Sequence, residues 1–544
     1  AGGQVQIQNI DEASSPYFRG VRNGDRITSL GWFDGTTKQT VNDTESVQSR
    51  MLDLPFETIV TMDIESPGKP LRKLALLPAW RPLASMFVTN TKEWAFWTPT
   101  GFYDASFNGH KSFGWQVNQG INLRPDFFLA AQMRQKLERP DVLRHLLKQG
   151  NLNEAFRADF SAVPKQLDQV VAEQYRLQPR VEILSPATGA DVSKTGSAIV
   201  RAAVTVRDGQ QHIPPKLFAN GVVSPHVELE ERIAVPGGHR YLYQWAADLP
   251  NDPRVRLEVV AVTDGDTNSA EHVFVNQKTT RHNKATMYAF TAGINQYRDS
   301  QIPRLQYSVA NATRVSQLIT TQAHPLYEPE VVSLLNGHAT RSLWHAVTNQ
   351  NAETIRTQVK ANDLVMIYLS GHGVRDDETG KYYFVAADAR YDDVKSSRYE
   401  DCLSLDDLSA FGDVPCRKLI VLDTCHSGAI QANEQRHLKA AVRSLQDDQF
   451  LILTASDGNE EAVEESRLKM GRFTAHFTAG LEAQADLPGN GGDNDGIVSF
   501  REISSYVQRQ VGIDSSTSDY RQTPTVSPSE LVELVNLPLT VVGR

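Results

Sequence analysis

Leu364-Val365-Met366-Ile367-Tyr368-Leu369-Ser370-Gly371-His372-Gly373 and Lys418-Leu419-Ile420-Val421-Leu422-Asp423-Thr424-Cys425-His426-Ser427-Gly428 are two apolar runs, each ending in a polar, glycine-containing motif. Short apolar runs bounded by turn residues read as strands, and they belong to a longer alternation that starts near residue 285. Strands are expected at 287–293, 331–335, 364–369, 382–386, 418–422 and 450–454. Helices are expected at 308–321 and 341–360, with others after Ser404 and Glu434. Alternation of this kind predicts an α/β sheet covered on both faces, a three-layer sandwich. In such a sheet, ligands gather at the carboxyl ends of the strands, so two neighbouring strands can bring His372 and Cys425 together.

A Cys/His dyad has specific requirements. An imidazole within hydrogen-bond reach must support the thiolate, and flanking glycines let a substrate backbone approach closely. Taken singly, His372 reads as a buried structural histidine and Cys425 as an inert core thiol. Together they sit in turns beside glycines just past apolar strands, where core residues are not expected. His426 is a competing base, ranked below His372 because adjacent side chains in a turn diverge. Cys402 and Cys416 lack such surroundings and are expected to be structural.

On these motifs residues 285–511 resemble a caspase-like peptidase domain, closer to metacaspases and their bacterial relatives than to animal caspases. Further points of resemblance are Gly293-Ile294-Asn295-Gln296-Tyr297, Leu453-Thr454-Ala455-Ser456 and Gly471-Arg472-Phe473-Thr474. The His-to-Cys spacing, about 50 residues, also agrees with the caspase arrangement. The resemblance implies a cysteine endopeptidase with Cys425 as nucleophile and His372 managing the proton. It implies an oxyanion hole formed by the backbone N–H groups of Gly373 and Cys425. Asp423 falls where metacaspases carry an acidic S1 residue, which favours Arg over Lys at P1. The second S1 aspartate of the family is replaced here by Asn311, whose amide oxygen can still accept from a guanidinium. Ser370 and Ser456 are further wall residues. Arg436, Lys439 and Arg443 lie in the loop 428–443, a region that is often processed in such proteins, so self-cleavage is an expectation. No cofactor is required, although metacaspases often need calcium. Asp493, Asp495 and Glu502 match positions three, five and twelve of an EF-hand loop, but Gly491 stands at position one. A Gly-Asp turn ahead of a helix starting near Ser499 is therefore the preferred reading.

The chain has 544 residues, 40% of them apolar and 22% charged, which predicts several domains and excludes disordered or disulfide-stapled classes. A net charge of −10 makes nucleic acid an unlikely main partner. No apolar run is long enough to cross a bilayer, so no membrane partner is expected. The three cysteines cluster between 402 and 425, which fits a reducing, cytoplasmic setting. The start at Ala1 reads as a fragment of something longer.

Residues 1–85 alternate apolar stretches with turns and form a β-rich module. Arg22-Asn23-Gly24-Asp25-Arg26-Ile27 resembles part of a PDZ domain, with an ordinary β-hairpin as the alternative. Residues 86–180 comprise an aromatic-dense docking segment followed by helices over 125–177. Within it, Trp97 to Ser106 resembles a segment of bacterial proteins that place sensor modules ahead of a caspase-like domain. Residues 181–278 carry evenly spaced strands, as in an Ig-like sandwich, and 283–544 is the peptidase-like domain. The expected whole is a multidomain protein with PDZ-like and Ig-like modules ahead of a caspase-like α/β domain. Its partners would be protein or peptide substrates with Arg or Lys at P1 and an upstream sensor or activating partner, in a bacterial stress or antiphage response. A catalytically silent scaffold acting through the β-rich modules is the alternative, and another thiol chemistry such as transpeptidation is a third.

Overall fold

The computed structural model describes residues 5–8, 20–33, 37–43, 47, 49–50, 59–76, 83–89, 93–99, 101–106, 109–117, 126–133, 137–149, 178–192, 196–263, 267–279, 284–375, 381–426, 449–456, 460, 462–518, 520–528 and 537–542. The chain divides into two compact units. One comprises Ala1–Met86, Phe96–Tyr103 and Arg139–Pro164; the other comprises Phe87–Ala95, Asp104–Glu138 and Lys165–Arg544.

The first unit is built on an antiparallel sheet in the order Val5–Gln6, Arg26–Phe33, Val60–Glu65, Arg72–Leu76, with Lys38–Val41 also pairing Arg26–Phe33. Ile27, Leu30, Met62 and Ile64 alternate inward and bury a small core with Val21 and Val47. The expected turn closes ahead of the second strand, where Asp25 Oδ2 accepts from Arg22 N at 2.9 Å and from Arg72 at 3.2 Å.

The second unit departs from expectation near its start. Phe127 and Leu129 lie on a strand, Asp126–Leu129, paired antiparallel with Gly114–Val117. Their i, i+2 spacing is that of a strand, and the pairing partner lies just upstream, across residues 118–125. The helix Pro140–Gln149 does form, in the first unit, burying Val142, Leu143 and Leu146. The rest of the helical expectation, 150–177, lies outside the described residues.

Residues 180–276 form two packed sheets. One orders Arg180–Ser185, Ser197–Arg207, Gly238–Asp248 and Glu228–Val235. The other orders Ala190–Asp191, Thr267–Asn276, Arg254–Thr263, Lys216–Ala219 and Val222–Ser224. Val200, Ala202, Val204, Trp245, Leu257 and Val259 meet between them. Glu228–Val235 is an edge strand that the sequence reading leaves out: it is charged and almost wholly exposed, so no apolar alternation marks it.

Among the described residues, the main sheet of the α/β part has eight strands, numbered here β1 (Ala285–Gly293), β2 (Tyr327–Leu335), β3 (Leu364–Arg375), β4 (Tyr382–Val385), β5 (Cys402–Ser404), β6 (Arg417–His426), β7 (Leu451–Thr454) and β8 (Thr525–Ser527). The main path is β2-β1-β3-β6-β7-β8, parallel except for β8, with β4 pairing β3 and β5. One face is covered by α1 (Ser308–Leu318), α2 (Arg472–Ala479) and α3 (Phe500–Ser516), through Val315, Phe473, Phe477 and Ile503. The other is covered by Arg341–His345, Asn351–Gln358 and Leu405–Phe411, through Trp344, Ile355, Leu408 and Phe411. The three-layer arrangement is thus as expected.

One expectation is corrected. Ser370-Gly371-His372-Gly373 and Asp423-Thr424-Cys425-His426 are not turns past the strands but the continuation of β3 and β6. The parallel register holds from Leu364↔Arg417 to Gly373↔His426. On its other edge, the end of β3 pairs antiparallel with β4 from Gly373↔Phe384 to Arg375↔Tyr382, which keeps the backbone extended. Among the described residues no helix is long and apolar enough to cross a membrane.

Candidate active site

Register brings the two motifs together: His372 is the direct cross-strand partner of Cys425, and Ser370 of Asp423. Paired positions on neighbouring parallel strands are about 4.8 Å apart, so the register alone sets the backbones of these residues side by side.

His372 is 3% exposed. Its Nε2 lies 2.8 Å from the Pro303 carbonyl, which can only accept, so Nε2 carries the hydrogen. In the neutral ring Nδ1 is then the basic nitrogen. Nδ1 is buried and has no hydrogen-bond partner among the described residues. Burial pushes the His372 pKa below the usual histidine value, and the bond to the Pro303 carbonyl pulls the other way. The imidazole is oriented by Tyr297, whose ring stacks at 5.3 Å and whose hydroxyl accepts from His372 N at 3.0 Å.

Gly373 is required by a close approach. A Cβ at this position would come 1.6 Å from the Tyr382 hydroxyl oxygen, and that hydroxyl donates to Thr424 Oγ1 at 2.8 Å. Tyr382, on β4, thus clamps the ends of β3 and β6 beside the paired positions His372 and Cys425.

Asp423 is 4% exposed and sits in a cluster of hydroxyl and amide groups. Its Oδ2 accepts from Asn311 Nδ2 at 3.1 Å, from the Tyr368 hydroxyl at 3.2 Å and from the Thr474 hydroxyl. Oδ1 has no partner among the described residues. The Asn311 amide also donates to Ser370 Oγ at 3.2 Å, while its oxygen accepts from Gly471 N at 3.1 Å. Burial raises the Asp423 pKa to about 6, offset in part by bonds from Thr474, Tyr368 and Asn311 and reinforced by the negative charge of Glu464. Glu464 is held by the backbone N–H groups of Gln306, at 2.9 Å, and Tyr307, at 2.8 Å, just ahead of α1.

Of the residues picked out in the sequence, the fold therefore groups Ser370, Asn311 and Asp423 in one cluster and sets His372, Gly373 and Cys425 beside it. Ser456 is buried past β7, and among the described residues no hydrogen bond ties its hydroxyl to the Asp423 cluster. Cys402 and Cys416 are buried core thiols, their pKa values pushed up to about 12 by burial. The basic loop 428–443 lies outside the described residues. Tyr368, Thr474, Glu464, Tyr382 and the Pro303 carbonyl were not assigned roles from sequence. Thr474 stood within a quoted motif, and Tyr368 within the strand itself, where a hydroxyl in an apolar run is the signal available.

The expected acidic set near the C-terminus also changes. Ser499 caps α3 in a reciprocal capping box with Glu502. The Glu502 carboxylate accepts from Ser499 N and Oγ, each at 2.8 Å, and from Asp493 N at 3.1 Å. The helix-start reading holds, and Glu502 is committed to it.

Residues 286–535 match the family model of the caspase domain, Peptidase_C14. No curated protein matches the chain. A solved structure described as pro-sf-caspase-1 is similar at 12% identity over 48% of this chain and 95% of that one, with a TM-score of 0.31. One described as tandem Ig repeats of Dlar is similar at 15% identity over 21% and 60%, with a TM-score of 0.12.

Proposed function

We propose, from the match of residues 286–535 to the caspase domain, a family of cysteine peptidases, that this protein is an endopeptidase cleaving after Arg and, less well, Lys. The observation that carries this reading is the pairing of Cys425 with His372, whose buried Nδ1 has no hydrogen-bond partner among the described residues, next to the Asp423 cluster.

In this mechanism the Cys425 thiol gives its proton to His372 Nδ1, and the thiolate attacks the scissile carbonyl carbon. The electron pair displaced onto the carbonyl oxygen is stabilised by the N–H groups of Gly373 and Cys425. The imidazolium, still bonded to the Pro303 carbonyl through Nε2, protonates the leaving amine as the C–N bond breaks. Neutral His372 then takes a proton from water, the hydroxide attacks the thioester, and Cys425 leaves. The lowered pKa of His372 suits the first step, since the free enzyme holds the ring in its basic form at neutral pH.

Asp423 supports the basic P1 preference. A guanidinium at Oδ1 would shift the carboxyl to its ionised form, offsetting the burial that raises its pKa. Glu464, near enough to raise that pKa, compensates part of the charge missing at Asn311. Ser370 would line the same pocket. By resemblance, the PDZ-like 1–85 and Ig-like 181–278 modules would position a partner, and the enzyme would act once released by an upstream signal.

The test is labelling by an Arg chloromethyl ketone together with a positional-scanning peptide library. Wild type should be labelled at Cys425 and should cleave after Arg, then Lys, while Cys425→Ala should do neither. Absence of labelling would favour the scaffold reading, and cleavage after non-basic residues would overturn the pocket assignment.

A further inference from the structure

The loop between α2 and α3 contains Asp486, Asp493 and Asp495, and one carboxylate oxygen of each lies within 4.8 Å of the others. Asp486 supplies the carboxylate that linear EF-hand spacing, with Gly491 at position one, lacks. The chain supplies the first carboxylate from further upstream. It folds back so that Asn494 N bonds the Asp486 carbonyl at 2.9 Å and Gly492 N bonds the Leu487 carbonyl at 3.1 Å. Only glycine fits at 492, since a Cβ there would meet the Asp486 backbone carbon at 2.2 Å.

Asp486 is 4% exposed. Its Oδ2 accepts from Gly496 N at 3.3 Å, whereas Oδ1 is sealed from solvent and has no hydrogen-bond partner among the described residues. A buried carboxylate oxygen left unpaired is costly, and two further carboxylates beside it add like-charge repulsion. Among the described residues no Lys, Arg or His forms an ion pair with any of the three. Asp493 Oδ1 accepts from Asp495 N at 3.1 Å and Asp495 Oδ1 from Ile497 N at 2.8 Å, so the loop's own amides hold both side chains in place.

We infer that Asp486, Asp493 and Asp495 form a binding site for a hard divalent cation, calcium, which clamps the connection between α2 and α3. Two oxygens bound to one calcium at ~2.3–2.6 Å can be up to about 5 Å apart, so the ion fits among these carboxylates without contraction of the loop. Magnesium, with ~2.1 Å bonds and a demand for near-octahedral geometry, requires the oxygens to close up. Water and backbone carbonyls complete the shell. Glu502, whose carboxylate is committed to the start of α3, is not a ligand. The site is independent of the peptidase chemistry, but α2 leads to it from Thr474 in the Asp423 cluster.

The experiment is calorimetric titration of the chelator-treated full chain with CaCl2, alongside thermal unfolding with CaCl2 or EDTA. One equivalent should bind with a Kd on the order of 10⁻⁵–10⁻³ M, and saturation should raise Tm by roughly 2–5 °C. Asp486→Asn and, separately, the exposed Asp495→Asn should abolish both effects. Both remove a charge from a repelling group, so neither should lower Tm in EDTA, which verifies folding. Glu502→Gln should weaken the helix start yet retain binding. No saturable heat with wild type, or calcium binding that survives Asp486→Asn but is lost in Glu502→Gln, overturns the proposal. A preference for MgCl2 over CaCl2 also overturns it.

Discussion

At the scale of the residue, Asp423 and His372 show how burial sets chemistry. Both are pushed toward their neutral forms, Asp423 upward to about 6 and His372 downward, because each is removed from water. Under the proposed mechanism, a substrate with Arg at P1 needs a free enzyme with Asp423 ionised and His372 neutral. Both conditions are met as pH rises, so kcat/KM should climb as Asp423 ionises near its pKa of about 6, with His372, lowered from its ordinary value, as a second titrating group on the acid limb. Asp423→Asn should remove one of them, making that limb shallower, and should lower kcat/KM for Arg substrates about 10- to 100-fold. That loss corresponds to a charge-assisted hydrogen bond worth roughly 1.5–3 kcal/mol. Stopped pH–rate profiles on wild type and variant check both. An unchanged slope would mean that Asp423 does not meet the P1 side chain.

The elements that matter most are the ends of β3 and β6, held side by side by the parallel ladder and by Tyr382 reaching across from β4 to Thr424. Gly373→Ala tests this clamp, because its Cβ would collide with the Tyr382 hydroxyl. Overpacking of this kind costs about 1–3 kcal/mol. The variant should unfold at lower denaturant and react more slowly with an Arg chloromethyl ketone, since displacement of Tyr382 spreads β3 from β6. Wild-type labelling rates in a destabilised Gly373→Ala would show that the clamp serves stability alone.

Within the larger compact unit, the two-sheet part and the α/β part meet at a buried ion pair. Arg417, the first residue of β6, pairs with Asp252, which also accepts from Asn220 Nδ2 at 2.8 Å. Asn251 N donates to Asn362 Oδ1 at 2.8 Å beside it, and Lys216 pairs with Asp413 at 2.9 Å. The side chains of Arg417 and Asp252 are only 7% and 2% exposed, so the pair is sealed from solvent. Removing one partner strands a buried charge. Arg417→Met should therefore cost about 3–5 kcal/mol in denaturant unfolding, and adding Asp252→Asn should restore much of it. If the double variant is no more stable than the single one, the pair is not what joins these parts.

The α/β alternation, the identity of both strand-end motifs and the late clustering of cysteines were legible in the residues themselves, because buried strands announce themselves as short apolar runs. The Phe127 and Leu129 strand and the charged edge strand Glu228–Val235 were not, because each is set by backbone pairing with a neighbouring strand and neither carries an alternating apolar pattern. The same division holds at the candidate site. Cys425, His372 and Asp423 could be named from motif and spacing. Tyr368, Thr474, Glu464, Tyr382 and the Pro303 carbonyl became partners only when segments far apart in sequence converged. The acidic loop is the clearest instance. Sequence spacing put Gly491 at the first ligand position and Glu502 at the last, whereas the folded loop brings in Asp486 and commits Glu502 to a helix cap. Linear spacing carries chemistry when the backbone between two residues is regular. Where a turn reverses the chain, only the tertiary structure decides which groups meet.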